Sequence, residues 1–383
     1  MSAPSLQNAI TPARVEALAR AAGFTTAGIA AVPEPGSPED QEERGRFAGW
    51  IEAGRAGEMQ YLQRRDEAGR LLRSSVRVVF PWARSVIVCA ANYNSAQPRS
   101  IDPAAAEAGW IARYAWTGRE SSEGGRPTDY HRVLLRRLEG VRAAIAEEAG
   151  TFESRCFVDT GPVVERVYAR YAGLGWTGKN TCLLNQELGS WLFLAVMVTS
   201  LDMPAVRAAL APDRCGSCTR CLDACPTGAL TGPRQMDASL CISYLTIEKR
   251  GEIPEGLRSG VGRQVFGCDI CQDVCPWNRR APIAADPELA TRPALVNPAL
   301  DWLASLDEAE FDRWFNGSPV RRAKFQGFRR NVAVAMGNSG QTQFLPTLEG
   351  WAKDADPILA ETARWGMGKL QSANSEDPDG PEP

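Results

Sequence analysis

The sequence predicts an α+β protein in three regions: a mixed helix and sheet region, a compact cysteine-rich module and an all-helical end. Three observations carry that expectation. Apolar runs at 24–30, 85–91 and 190–199 alternate with segments of helical periodicity; eight cysteines crowd into the 61 residues from Cys215 to Cys275; beyond Pro282 the chain has no cysteine and reads as consecutive helices.

Taken in order, Thr11 as cap, Pro12 in the first turn and Gly23 past the end bracket a helix with the stripe Val15, Leu18 and Ala22. Residues 24–30 read as a strand, 32–43 as a loop rich in Pro, Gly and acids, and 85–91 as a buried strand. The polar, Gly-rich stretch between Tyr114 and Asp129 reads as a mobile surface loop. After it, Leu134, Leu138, Val141 and Ile145 recur at helical spacing as far as Gly150. A helix at 163–172, a Gly-rich turn and a strand at 190–199 complete the first region. The jump in cysteine density sets a boundary near residue 205, giving regions 1–205, 206–285 and 286–370. In the last, helices are expected at 301–315, 320–336, 344–352 and 357–370, paired as in a HEAT-like array. The tail 371–383 has the composition of a disordered segment.

A chain of 383 residues holds two or three ordinary cores, and 44% apolar with 23% charged residues excludes collagen-like, coiled-coil and wholly disordered classes. The net charge is −3, but the last 13 residues carry four acids and no base, so residues 1–370 sum to +1. A nucleic-acid partner must therefore be held by a local basic patch. The longest apolar run, Trp191 to Val198, is far too short to span a membrane, and the N-terminus has neither a secretory nor a twin-arginine signal. A cytoplasmic location is expected, where dense cysteines point to metal or redox work rather than disulfides. With one histidine, His131, the chain cannot build Cys/His zinc fingers, HExxH hydrolase sites or His-ligated di-iron centres.

Cys215, Cys218, Cys221 and Cys225 give Cys-x2-Cys-x2-Cys-x3-Cys-Pro, the bacterial ferredoxin spacing in which the fourth thiolate reaches to a second 4Fe4S cluster. Cys241 followed by Cys268, Cys271 and Cys275-Pro276 repeats the pattern of three plus one. The expected sets are Cys215, Cys218, Cys221 and Cys275 for one cluster, and Cys241, Cys268, Cys271 and Cys225 for the other. Two four-cysteine zinc sites are the rival reading, and they leave the ferredoxin run unexplained. Cys89 lies in an apolar strand and is expected to be core packing.

The segment GLGWTGKNT from Gly173 contains GxGxxG and nearly a Walker loop. It lacks the strand before and helix after that a dinucleotide site needs, and Asn180 stands where Walker loops carry Ser or Thr. Its backbone amides, with Lys179 beside them, remain candidates to hold a phosphate or an amide-rich ligand edge. Asp129-Tyr130-His131 opens the long helix; by local chemistry alone Asp129 is an N-cap and His131 a first-turn surface residue.

The cysteine pattern, DYH at Asp129, ERVYARYAGLGWTGKNT from Glu165 and GSW at Gly189 together resemble the epoxyqueuosine reductases, cobalamin-dependent iron–sulfur enzymes acting on tRNA. The resemblance runs from the first helix to about Leu370. It implies a nitroreductase-like cobalamin-binding domain, a ferredoxin-like domain with two 4Fe4S clusters and a HEAT-like domain that helps hold tRNA bearing a queuosine-type anticodon. It further implies electrons from reduced flavodoxin or ferredoxin passing through the clusters to cobalt, and removal of the epoxide oxygen at the wobble nucleoside.

Asp129 matches the family's proposed proton donor, although a helix N-terminus favours the charged carboxylate and a general acid must keep its proton. Burial by cofactor and substrate is the expected remedy. Asp129-x-His131 is followed by Leu134 where a DxHxxG cobalt-ligating motif has glycine, so base-off cobalamin with no protein ligand is expected. Asn92 and Lys179 are the cofactor-pocket candidates. Six bases and one acid fall between Asp312 and Arg330, and with the resemblance Arg321, Arg322, Lys324, Arg329 and Arg330 are expected at tRNA phosphates. An extruded nucleotide is expected in the cofactor pocket. The rivals are a reductive dehalogenase, for which the basic helices have no use, and a ferredoxin-type carrier, for which the flanking regions have none. A monomer is expected.

Overall fold

The computed structural model describes residues 10–118, 128–204 and 211–375. Most of the stretch expected to be a mobile loop, the boundary near 205 and residues 376–383 lie outside them. The first region is built on an antiparallel sheet of four strands, in spatial order Thr26–Ala31, Ser85–Asn92, Leu192–Thr199 and Ser154–Phe157. The two central strands are unbroken apolar runs because both faces of the sheet are covered. Ile87 and Cys89, opposite Met197 and Ala195, face a core closed by the helices Pro12–Ala21 and Tyr130–Ala149. Val86 and Val88, opposite Val198 and Val196, face a second core closed by the helix Glu165–Tyr171. A one-residue slip would exchange the two sets, so packing fixes the register.

Two elements of this region depart from expectation. Ser154–Phe157 is a short edge strand whose mixed burial leaves no clear alternation. Residues within the expected loop 32–43 begin the helix Pro38–Glu52, where Ser37 accepts from the Asp40 N–H, Pro38 occupies the first turn and Glu39 and Asp40 follow. A composition that resembles a loop is here the start signal of a helix.

Trp110–Ile111 pairs in parallel with Gln264–Phe266, tying the first region to the cysteine module. Around this ladder Trp110, Trp116 and Phe266 share one core with Phe311, Phe315, Phe328 and Val332. The helical end consists of Leu300–Ser305, Glu308–Phe315, Lys324–Gly337, Leu345–Trp351 and Pro357–Ser375. The expected helix 301–315 is divided because Asp307 and Glu310 form a capping box that starts a new helix. The expected helix 320–336 opens as a 3-10 turn, Pro319–Ala323, and Lys324 takes φ 62° before the α-helix proceeds. The last helix continues to Ser375, beyond the expected start of the tail. A Cβ on Gly337 would lie 2.7 Å from the Gly366 Cα, so these two helices meet backbone to backbone.

The expected phosphate contact Arg330 is 1% exposed and cannot reach a nucleic acid. Its guanidinium donates to the carbonyls of Leu245, Lys249 and Gly251 and to Asn331 Oδ1, while Asn331 Nδ2 donates to the carbonyls of Thr246 and Val265. Burial pushes this guanidinium down to about 10. The pair latches the helical end onto the cysteine module. Arg330→Ala strands several buried carbonyls and should destabilise by about 3 kcal/mol or more, read as a fall in urea midpoint.

Candidate active site and cluster module

The eight module cysteines come from loops and single-turn helices, Arg220–Asp223 and Ile270–Asp273 among them. Their electrostatic contacts run within two groups, both of which also touch Cys182, through Cys271 and Cys275. Cys275 interacts with Cys215 and Cys221, and Cys221 with Cys215 and Cys218; Cys268 interacts with Cys225 and Cys241, and Cys271 with Cys268 and Cys241. Each group joins cysteines from both halves of the module. Burial pushes the Cys241 and Cys268 thiols up and Cys275 up to about 11, while backbone N–H groups of Ser243, Tyr244, Ile270 and Trp277 donate to these sulfurs. Partly buried thiols that receive backbone N–H groups fit ligands that a cluster takes as thiolates. Among the described residues no three His, Cys, Asp or Glu side chains converge as closely as a single metal ion requires. Cys182, outside both sets, is in hydrogen-bond contact with Cys271.

The Gly-rich segment from Gly173 is a hairpin clamped onto this module. Trp176–Thr177 pairs antiparallel with Leu183–Leu184, and a Cβ on Gly175 would fall 2.0 Å from the Leu184 carbonyl oxygen. Asn180 Nδ2 donates to the Cys271 carbonyl at 3.2 Å, Lys179 Nζ to the Gly216 carbonyl at 2.6 Å, and Trp176 meets Trp277 edge to face at 5.0 Å. The glycines thus serve close backbone approach in a hairpin, not a nucleotide cradle. Lys179 is engaged with a cysteine loop. Asn92, 8% exposed, donates to the Pro282 carbonyl at 2.8 Å and accepts from the Asn94 N–H. Neither lines the cleft that contains Asp129, so the structure does not gather the three cofactor-pocket candidates around one opening.

Asp129 caps the helix Tyr130–Ala149, accepting from the Arg132 N–H at 3.3 Å. Burial pushes its carboxyl up, but the hydrogen bond and charge of His131, with the Arg132 and His131 N–H groups, outweigh burial and hold it below the ordinary carboxylate range. His131 Nδ1 lies 3.4 Å from Asp129 Oδ1, and its Nε2 lies 3.7 Å from Asp159 Oδ2. Tyr130 fixes the arrangement: its ring stacks on His131 and on Phe193, both at 4.0 Å, and its hydroxyl donates to Asp159. The sole histidine thus lies between two carboxylates.

Asp159 has φ 57°, a left-handed conformation rare for a residue other than glycine. Behind it Glu165 is buried with Oε1 unpartnered, and burial together with the Asp159 charge pushes its carboxyl from 4.5 up to about 7. The folded chain therefore holds this proton more tightly than the unfolded chain, and stability falls as pH rises from 4.5 to about 7, then levels. Glu165→Gln should remove that loss. Urea melts should show little change in the acid range and a gain approaching about 3 kcal/mol above neutrality.

An open cleft of about 500 Å³ places Asp129 and His131 opposite Arg321, Arg322 and Lys324. Arg321 pairs with Asp312 at 2.9 Å; Arg322 pairs with Glu248 at 2.9 Å and lies over the Tyr61 ring at 5.5 Å. Arg329 is turned elsewhere, paired with Asp354 at 2.8 Å and stacked on Trp351, and it does not line the cleft. Of the five basic residues expected at phosphates, three reach the opening.

Eight cysteines at double-cluster spacing and, in an open cleft, an acid–imidazole pair facing Arg321, Arg322 and Lys324 fit an iron–sulfur oxidoreductase. The family model described as "4Fe-4S double cluster binding domain" matches residues 214–278, and the one described as "Epoxyqueuosine reductase QueG, DUF1730" matches residues 73–160. The chain is 42% identical over 340 residues to the epoxyqueuosine reductase of Gloeobacter violaceus, covering 87% of this chain and 98% of that one. It is 38% identical over 356 residues to that of Xanthomonas campestris pv. campestris, covering 93% and 95%. Among solved structures, an epoxyqueuosine reductase with an epoxyqueuosine-modified tRNA-Tyr stem loop superposes with TM-score 0.79 at 28% identity, covering 96% of this chain and 94% of that one. The enzyme from Streptococcus thermophilus gives TM-score 0.77 at 27% identity, covering 96% and 91%. The chain belongs to the epoxyqueuosine reductase family.

Proposed function

We propose that this chain reduces epoxyqueuosine to queuosine at the wobble position of tRNA. The single observation that carries the reading is the cleft in which Asp129 and His131 face Arg321, Arg322 and Lys324, joining proton chemistry to a phosphate-binding surface. Cobalamin, supplied with electrons through the two 4Fe4S clusters, provides the reducing power when bound. Cys215, Cys218, Cys221 and Cys275 hold one cluster, and Cys225, Cys241, Cys268 and Cys271 the other. Asp129 gives a proton to the epoxide oxygen as the ring opens, and a substrate that displaces water from the cleft raises the carboxyl toward the range this task needs.

Arg321, Arg322 and Lys324 neutralise phosphates, which supplies affinity without sequence readout. Among the described residues no helix is long and apolar enough to cross a membrane. A cytoplasmic monomer fed by reduced flavodoxin or ferredoxin completes the reading.

Charge reversal of Arg321 and Arg322 to Glu should weaken binding of a modified anticodon stem loop and flatten the slope of log affinity against log salt by about 1 to 2. Fluorescence anisotropy across a salt series measures both. An unchanged slope would remove these two residues from the interface and with them the cleft as the tRNA site. A reductive dehalogenase has no use for these basic residues.

A further inference from the structure

The His131 ring has no role in the reading above beyond its bond to Asp129, yet its surroundings are built. Both ring nitrogens face carboxylates, 3.4 Å to Asp129 Oδ1 and 3.7 Å to Asp159 Oδ2, and the ring plane is set by stacking on Tyr130. Side-chain exposure rises along the row, from 15% at Asp129 through 30% at His131 to 51% at Asp159. A partly buried acid, a partly exposed imidazole and an exposed carboxylate follow one another from the cleft wall outward. Asp159 is held at its end of the path by the Tyr130 hydroxyl.

We propose that His131 is a proton relay that recharges Asp129 from solvent during turnover, with Asp159 as its outer station. The inference rests on the assignment of Asp129 as the proton donor. Converting an epoxide to an alkene breaks two C–O bonds, forms one C=C bond and releases the oxygen as water, consuming two electrons and two protons. The electrons come from the cluster-fed cofactor. Asp129 holds one proton at a time, so it must be recharged within each turnover. His131 accepts a proton at Nε2 from Asp159 or water beside it and passes the Nδ1 proton to the Asp129 carboxylate; exchange with solvent at the half-exposed ring restores the starting tautomer. The 3.4 Å contact is a long hydrogen bond and the 3.7 Å one lies beyond that range, as is common before substrate closes a site.

Other charged groups facing this ring across the cleft are Glu308, Asp312, Arg321, Arg322 and Lys324, with Glu165 behind Asp159. Substrate phosphates would pair with the cations, leaving the two carboxylates as the partners of the His131 ring.

The test uses the reduced holoenzyme with modified stem loop. His131→Gln and Asp159→Asn should each lower kcat by about 10- to 100-fold with unchanged stem-loop affinity and cluster absorbance. Imidazole added to His131→Ala should restore rate in proportion to its protonated fraction, which a lost packing contact would not allow. Turnover of His131→Gln at the wild-type rate with the wild-type pH profile would overturn the relay, as would a slow His131→Ala that imidazole leaves unchanged. Normal turnover of Asp129→Asn would instead overturn the assignment beneath it.

Discussion

Asp129→Asn should lower epoxide reduction by about 10²- to 10⁴-fold, the usual worth of a positioned acid, while stem-loop affinity and iron content stay at wild-type values. The amide is isosteric and can still accept the Arg132 N–H, so the helix cap survives and the loss is chemical. What disappears is the transferable proton, together with the charge that binds His131. Single-turnover rates under anaerobic conditions read the effect directly. Near-normal turnover would move the donor elsewhere along the Asp129, His131 and Asp159 row.

Cys225→Ser carries the second large effect, and its sign depends on the crossing. Read along the chain, Cys225 closes a run with Cys215, Cys218 and Cys221, and its loss would damage the cluster those residues hold. In the fold, Cys225 stands with Cys241 and Cys268. The variant should therefore lose or convert the cluster of Cys241, Cys268 and Cys271 and keep the other, so that iron falls by up to half while the remaining cluster keeps its EPR signal. Electron delivery stops, and turnover with it. A Cys275→Ser variant should lose the opposite cluster, so the pair of spectra distinguishes crossed from uncrossed ligation.

Much of this was legible in the sequence because it rests on local signals. The central strands declare themselves as apolar runs, and the cysteine spacing announces the double-cluster module. Four failures have separate causes. The helix Pro38–Glu52 hid behind a loop-like composition, although Ser37 and Pro38 are its start signal. Arg330 was grouped with its basic neighbours because sequence shows charge and not depth, and it proved to be buried among carbonyls of the cysteine module. Asp159 could not be recognised at all: it lies 28 residues beyond His131, on a left-handed turn that only tertiary contacts sustain. Glu165 stands in the sequence only as the first residue of a motif, since nothing local reveals that one of its oxygens is unpartnered. Single residues brought together by tertiary packing are what a one-dimensional reading misses.

The most direct measurement is anaerobic incubation of the protein, loaded with clusters, cobalamin and a reductant, on tRNA carrying epoxyqueuosine, followed by mass spectrometry of the released nucleosides. Loss of one oxygen atom, giving queuosine, is the predicted result. Survival of the epoxide in fully loaded, tRNA-bound protein would contradict the assignment of this substrate to the Asp129 cleft.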